Sequence, residues 1–430
     1  MKKSKSDKAK LEGNIWKLHL YLALYSLMFF TPIMVLFFQE NGLSLTQIMV
    51  LQAISALLFV LLEVPSGYFA DMFGRKKALL VTAIFSVLTM VSFALSSNFY
   101  HFLFASILWA IAGVFISGAD SALLYDTLID LKKENLYKKI WGENCFYYYM
   151  GISVASIIGG IIGSINYRYT YYAVIPFMLL LIPLSLSFQE PKRHKPVFEK
   201  EHLYNLFRVM KKTVQGNKQM KWLLIYAAVI AGFVQVAYFL SQPYFELSGL
   251  KIVHFGLVFA GFNVVIAISS VYSHRLEEIL GKKYSLISLF VLIGTSFLLM
   301  SNFIYFFSFT FALLIQFVKG FSQIVISDYV HQLTASNIRA TILSFKSLIE
   351  SLFVAVISPL IGWVADIYSL QQALSLSGII VLILGAISIL GLWRSKALQN
   401  DFSSEQSRTC QKVGSLKFCR LGLRMDYCCL

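Results

Sequence analysis

The chain has 430 residues, of which 57% are hydrophobic, 15% aromatic and only 14% charged, against about 25% charged in a soluble domain. Repeated runs of 18 or more apolar residues match the roughly 20 that cross about 30 Å of hydrocarbon, and the ten-residue alternation of a membrane β-barrel is absent, so the chain is read as an all-α integral membrane protein. A net charge of +15 would suit nucleic acid, but the basic residues lie in short loops and tails, not in a soluble basic domain, and no nucleic acid is expected.

Lys2, Lys3, Lys5, Lys8 and Lys10 open the chain. The apolar run behind them is too long for a signal peptide and has no small-residue cleavage site, so it is read as a retained first helix. Apolar runs predict twelve transmembrane helices, at about 16–39, 44–70, 76–97, 100–129, 141–163, 168–188, 221–246, 252–273, 284–301, 303–327, 340–365 and 370–393. Ser44 reads as an N-cap before the second, and Pro191 follows the sixth. The segment 189–220 divides them six and six. This gives a tail at 1–15, an N-terminal half at 16–188, a linker at 189–220, a C-terminal half at 221–394 and a tail at 395–430. In the linker, Leu203, Phe207, Met210 and Val214 recur at helical spacing among Arg208, Lys211 and Lys212, as in an amphipathic helix lying on the membrane; a disordered basic linker is the alternative. Of the five cysteines, Cys145 lies at a helix entrance and four lie in the last tail. No Cys-x-x-Cys pair occurs and the histidines are scattered, so no metal site is expected.

Orientation follows from Lys and Arg. With both termini on the cytoplasmic side, 34 of the 37 fall on or nearest that side, Lys346 in the first turns of span 11 among them, only Arg168 and Lys251 fall opposite, and Lys319 lies deep within a span. Spans 3, 6, 9 and 12 carry no charge in their apolar interiors, whereas spans 2, 4, 10 and 11 carry Glu63, Asp120, Asp126, Lys319, Lys346 and Glu350. Charges in a bilayer face protein or a water-filled cavity, so every third helix is expected at the periphery of two pseudo-symmetric six-helix halves around a central cavity. Gly281-Lys282-Lys283, between spans 8 and 9, repeats Gly74-Arg75-Lys76, between spans 2 and 3. Duplicated halves would explain it.

The loop after span 2 is the most informative stretch. Gly67, Asp71, Gly74 and Arg75 follow G-x-x-x-D-x-x-G-R-K, with glycines that permit a tight turn and close helix approach and a forked cation beside an anion at the membrane edge. The pattern resembles the loop signature of the major facilitator superfamily, and the likeness extends over about residues 16 to 394 through the span count and the six-plus-six division. Ser117-Gly118-Ala119-Asp120, Leu124-Tyr125-Asp126 and Arg339-Ala340-Thr341 are similar to a prokaryotic drug and metabolite efflux subgroup. The resemblance implies a secondary transporter that rocks two halves about a central site. It further implies a conformational latch of Gly67, Asp71, Gly74, Arg75 and Asp126, in which the aspartate approaches the start of span 11, the arginine meets the acid ending span 4, and the outward-open state is held.

Two features depart from the family. Trp109 stands where many proton-coupled members carry an arginine, four residues before Gly113, and span 5 has Gly151, Gly159, Gly160 and Gly163 without the family's Gly-Pro pair. Those glycines equally serve close helix packing.

Depth selects the candidates for the substrate or proton pathway. At 1.5 Å per residue, Lys346 lies roughly 9 Å and Glu350 roughly 15 Å from the start of span 11, at an i,i+4 spacing that permits pairing. Glu350 is then either a carboxylate for substrate contact or proton exchange, or half of a neutralised structural pair. Lys319 with Gln316 and Gln323 makes a polar stripe on span 10, and Gln235 with Tyr238 makes another on span 7. Asp120 is ambiguous in depth, near the inner edge counted one way and near the middle counted the other.

No cofactor is expected beyond possible coupling to protons. A nucleophile or metal cluster for a membrane enzyme and a P-loop for an ATP-driven pump are both missing from the sequence. The reading is a monomeric, multi-pass transporter of the cytoplasmic membrane that exports a small organic solute in exchange for protons. The alternatives are an uptake symporter or facilitator and, from another class, a membrane sensor.

Overall fold

The computed structural model describes residues 5–191, 216–334 and 338–395. The expected amphipathic helix of the linker and nearly all of the last tail lie outside them. Among the described residues the regular structure is helical throughout. Eleven helical segments are long and apolar enough to cross a membrane.

The first span is the twelfth, and it is broken. It consists of α1 (Lys5–Tyr25) and α2 (Met34–Glu40), separated by irregular chain and a 3-10 turn at Thr31–Ile33 that contains Pro32. A continuous run at 16–39 was expected. α1 instead begins eleven residues earlier, inside the expected tail, and ends at Tyr25; Pro32 lacks the N–H that a helix continued through this stretch would need at that point.

The remainder of the N-terminal half is α3 (Leu45–Phe73), α4 (Arg75–Leu95), α5 (Phe99–Ile116), α6 (Ala119–Leu131), α7 (Tyr137–Ile165) and α8 (Tyr167–Ser187). The fourth span is also broken: α5 and α6 are separated by Ser117 and by Gly118 at φ +78°, a left-handed conformation that glycine adopts without steric cost. The C-terminal half is α9 (Lys218–Leu247), α10 (Ile252–Val271), α11 (Ser273–Asn302), α12 (Phe309–Gln332), α13 (Arg339–Ile367) and α14 (Leu370–Arg394).

Many helices begin on polar caps. Ser44 and Gln47 form a capping box on α3. Asn98, Asn166, Asn217 and Ser369 accept from the first-turn N–H groups of α5, α8, α9 and α14. Such caps satisfy donors that the helix itself leaves open.

The charge-free spans 3, 6, 9 and 12 pack within their own halves, α4 on α8 and α11 on α14, as their composition predicts. Contact between the halves is made by α3 with α13 and by α7 with α10. One end of the bundle carries most of the Lys and Arg and is called the basic end; the other, at the loops holding residues 41–44, 248–251 and 367–369, is the charge-poor end.

Glycine sets how closely the halves meet. A Cβ on Gly256 would lie 2.2 Å from the Ser156 carbonyl oxygen, and one on Gly160 would lie 2.7 Å from the Gly256 nitrogen. Two backbones therefore touch directly between α7 and α10, which gives the span 5 glycines their packing role. Gly67 differs from expectation, since a Cβ there would meet nothing within 4 Å. In this arrangement it serves neither a turn nor a close contact.

These two environments separate by substitution. Gly256→Val is expected to lower the melting temperature of the purified protein by several degrees or to prevent its isolation. Gly67→Ala is expected to leave stability unchanged or raise it by about 0.5–1 kcal/mol. Equal effects in a thermal melt would contradict the assigned contact.

Candidate functional site

At the basic end, Gly74 takes φ +111° between α3 and α4, a backbone that favours glycine. The turn exposes the first N–H groups of α4, and the Glu190 carboxylate accepts from Arg75 N at 2.9 Å and Lys76 N at 3.0 Å. With its backbone held, Arg75 projects Nη2 to 2.6 Å from Asp71 Oδ1 and Nε to 3.9 Å from Asp126 Oδ2. Asp71, Arg75 and Asp126 thus come together, with Asp71 turned to Arg75 on its own side of the loop. The groups are about a quarter exposed, so the cluster contributes about 1 kcal/mol.

The second half holds a related cluster that the sequence reading missed in part. Gly281 takes φ +72° and ψ 162°, close to the 111° and 152° of Gly74. After it, the Lys282 ammonium lies 4.5 Å from the Tyr329 ring centroid. The Tyr329 hydroxyl donates to Glu277, and Glu277, Lys282 and Asp328 act on one another electrostatically. Glu277, Asp328, Tyr329 and Glu190 were not singled out from sequence. The Gly-Lys repeat signalled the turn, and the acids beside it were the available clue.

At the charge-poor end the halves are tied by two side chains. Asp366, near the end of α13, accepts from Leu45 N at 2.9 Å, Thr46 N at 2.7 Å and Thr46 Oγ1 at 2.5 Å, and so caps α3 from the opposite half. Gln242 on α9 accepts from Val35 N at 2.7 Å and donates to the Thr31 carbonyl at 3.0 Å, which satisfies the broken backbone of span 1. Neither residue was foreseen. Both act on backbone groups that become free only at helix ends and breaks.

Between the two ends lie the mid-span polar groups. Lys346 and Glu350 pair at 2.8 Å on α13, as their spacing predicts. The antiparallel register that sets Gly362 against Met49 would bring Glu63 level with residue 348, yet no ion pair joins Glu63 to Lys346 among the described residues. Along α3, Ile48, Met49 and Leu51 near the charge-poor end are buried, whereas Leu61, Val64, Tyr68, Met72 and Phe73 toward the basic end are exposed. Lys319 on α12 is exposed although it lies in mid-helix, with its ammonium 5.9 Å from the Tyr238 ring centroid on α9. Gln316, one turn away, is 2% exposed. Neither its amide nor that of Gln235 forms a hydrogen bond among the described residues.

Asp120 opens α6 and accepts from Ser121 N at 2.6 Å. It lies within electrostatic reach of Tyr25 and Tyr148, and Tyr148 within reach of Tyr238 across the halves. Trp109 meets Phe30 edge to face at 6.0 Å, filling with an aromatic pair the place of the missing arginine. A separate apolar crevice of about 300 Å³, lined by Leu250, His254, Leu257, Val258, Phe309 and Leu313, lies near the charge-poor end and away from these groups. Among the described residues no group of acids, histidines and cysteines is arranged to hold a metal ion.

Residues 20–256 match the sequence profile of the Major Facilitator Superfamily, which is more than half of the chain. The chain belongs to that superfamily. Its many apolar helices agree with the multi-pass architecture that membership implies. It is 24% identical over 249 residues to the uncharacterized MFS-type transporter YxaM of Bacillus subtilis (strain 168), covering 56% of this chain and 61% of that protein. It is 27% identical over 242 residues to the multidrug efflux protein YfmO of the same strain, covering 53% and 54%. The match thus spans less than two thirds of either relative's length. In fold it is similar to a point mutant of the nucleoside transporter NupG, with a TM-score of 0.74 over 92% of this chain and 100% of the other at 14% identity.

The Lys346–Glu350 pair makes a direct prediction. Glu350→Gln alone is expected to destabilise the protein by about 3–5 kcal/mol, because it strands a cation, whereas Lys346→Met combined with Glu350→Leu restores stability. Thermal melts of the two variants check this. If the double variant regains stability and still loses gradient-driven transport, the pair has a role beyond neutrality.

Proposed function

We propose that the protein is a monomeric secondary active transporter of the cell membrane that exports a small organic solute in exchange for protons. The observation that carries this reading is the contrast between the two ends of α3 and α13. Asp366 ties the charge-poor end across the halves, while α3 toward the basic end and Lys319 in mid-span are exposed. With the basic end in the cytoplasm, by the distribution of Lys and Arg, this is an inward-open state. Both termini are then cytoplasmic.

Alternating access requires the seal to change ends. In this reading the cluster of Asp71, Arg75 and Asp126 forms the inner latch, with Asp71 passing from Arg75 toward the start of α13 when the basic end closes. Asp366 is then the outer counterpart of Asp71, since each lies near the C-terminal end of one of two antiparallel helices, at the end of the bundle where the other begins. Ion pairs and caps of about 1 kcal/mol suit such parts, because they bias a two-state equilibrium several-fold and still break in each cycle. Glu350 is the proton-exchanging carboxylate in this scheme, released when Lys346 changes partner. Export, as against uptake, is supported by the likeness to a multidrug efflux protein and to the efflux subgroup.

Two experiments test the scheme. In a background with the native cysteines replaced, single cysteines at Ser97 and Tyr368 are expected to label from outside intact cells and one at Glu134 to remain unlabelled. In proteoliposomes an imposed pH gradient is expected to drive solute movement in wild type, and Glu350→Gln is expected to retain solute exchange without gradient dependence. Labelling of the Glu134 position would invert the topology, and gradient-independent movement in wild type would leave a facilitator.

The outer seal is tested separately with spin labels at the same two positions, 97 and 368. Asp366→Asn removes a charge from the cap of α3, and the fraction of molecules with a longer interlabel distance is expected to rise several-fold. An unchanged distance distribution would remove Asp366 from the gate.

A further inference from the structure

Two cations lie within the spans of the C-terminal half, and they are treated differently. Lys346 is neutralised by Glu350 at 2.8 Å. Lys319 has no carboxylate partner among the described residues, and its ammonium rests instead on the π face of Tyr238 at 5.9 Å. A bilayer-spanning segment does not hold an uncompensated cation without a counter-charge, water or a cavity. The cation–π contact supplies part of that compensation and leaves the three N–H donors of the ammonium unfilled.

Three further features surround the same point. Gln316 precedes Lys319 by three residues on α12, which places both on one face of the helix, and its amide is almost fully buried without a protein hydrogen bond among the described residues. On α9, Gln235 precedes Tyr238 by the same interval and is likewise unfilled. Behind Tyr238, Phe239 and Phe259 meet its ring edge to face at 5.5 and 5.6 Å, forming an apolar aromatic wall. Ammonium and amide donors beside a hydrophobic wall form the complement of an acid carried on an apolar body.

The geometry points to an organic-anion site in which Lys319 and Gln316 bind the acid group of the solute and Tyr238, with Phe239 and Phe259 behind it, holds the apolar body. This deepens the transporter reading and rests on it for the statement that the bound molecule is cargo. It differs from what a drug-exporting relative alone would suggest, because it assigns the cargo a negative charge.

The test uses two head-group series on fixed bodies: indole-3-acetate, indole-3-acetamide and tryptamine, and phenylacetate, phenylacetamide and phenethylamine. Binding to the full-length protein in nanodiscs is measured at pH 7 by thermal shift and by titration. The acids are expected to bind about tenfold or more tighter than the amides and amines of the same body. Lys319→Gln is expected to erase the preference for acid over amide, Lys319→Arg to keep it, and Gln316→Leu to weaken the acid alone. The inference is overturned if the acids bind no tighter than the amides, if none of the acids binds at millimolar concentration, or if Lys319→Gln keeps the preference. Should Lys319→Gln fail to yield monodisperse protein, the wild-type acid-to-amide ratio and the Lys319→Arg and Gln316→Leu variants decide the matter. Transport of the same compounds into proteoliposomes separates the two claims. An acid that binds at Lys319 and is not moved counts against the transporter reading alone, whereas an amine moved equally by wild type and Lys319→Gln counts against the anion site alone.

Discussion

A single carboxylate, that of Asp366, receives two backbone N–H groups and a hydroxyl from the first turn of a helix in the other half of the molecule. Helix starts are deficient in acceptors and carry partial positive charge, so α3 obtains from across the interface what its own half supplies only in part. Ser44 closes one of the remaining donors locally. The relation of the two halves at this end is thereby written into the backbone chemistry of helix termini. Gln242 applies the same chemistry at the interruption of span 1. Because each tie joins neutral backbone to one side chain, it is strong enough to select an arrangement and weak enough to be exchanged.

Much of this was legible in the sequence. The span count follows from the cost of placing unpaired polar groups in hydrocarbon, and the peripheral helices follow from where charges are absent. The loop pattern at Gly67–Arg75 located the cluster that includes Asp126, 51 residues beyond Arg75, and the i,i+4 interval located Lys346 with Glu350. What escaped has a common cause. Asp366, Gln242 and Glu190 act on the main chain, and their partners are defined by helix ends and breaks instead of by residue type. A sequence displays an aspartate near a span terminus without displaying whose first turn it will cap. The interruption of span 1 was hidden for a similar reason, since an apolar run with an internal proline reads alike whether the helix kinks or stops.

The mid-span charges sort into compensated and uncompensated groups, and the sorting carries functional content. Lys346 with Glu350 is neutral as a unit. Lys319 and Asp120 lie in opposite halves, with the hydroxyls of Tyr148 and Tyr238 between them. Trp109 and Phe30 pair as aromatic rings at the position where the family resemblance implied an arginine. The polar character of the cavity is thus shifted toward α9 and α12, and the N-terminal half offers mostly rings and hydroxyls at the facing level.

The length of α3 and α13 gives the small seal its reach. Each runs 29 residues, about 43 Å at 1.5 Å per residue, and the two lie antiparallel with the Asp366 cap at one extremity. Straight rods of that length pivoting at one end would convert a relative rotation of about 20° into a displacement of about 15 Å at the other. A hydrogen-bonded cluster a few ångströms across therefore sets the aperture of a mouth wide enough to admit a small molecule, by mechanical advantage. Pro65 and Pro359 lie inside these two helices, and since proline is where a long helix bends, the stiffness of the segments around them decides how much of the rotation reaches the far entrance.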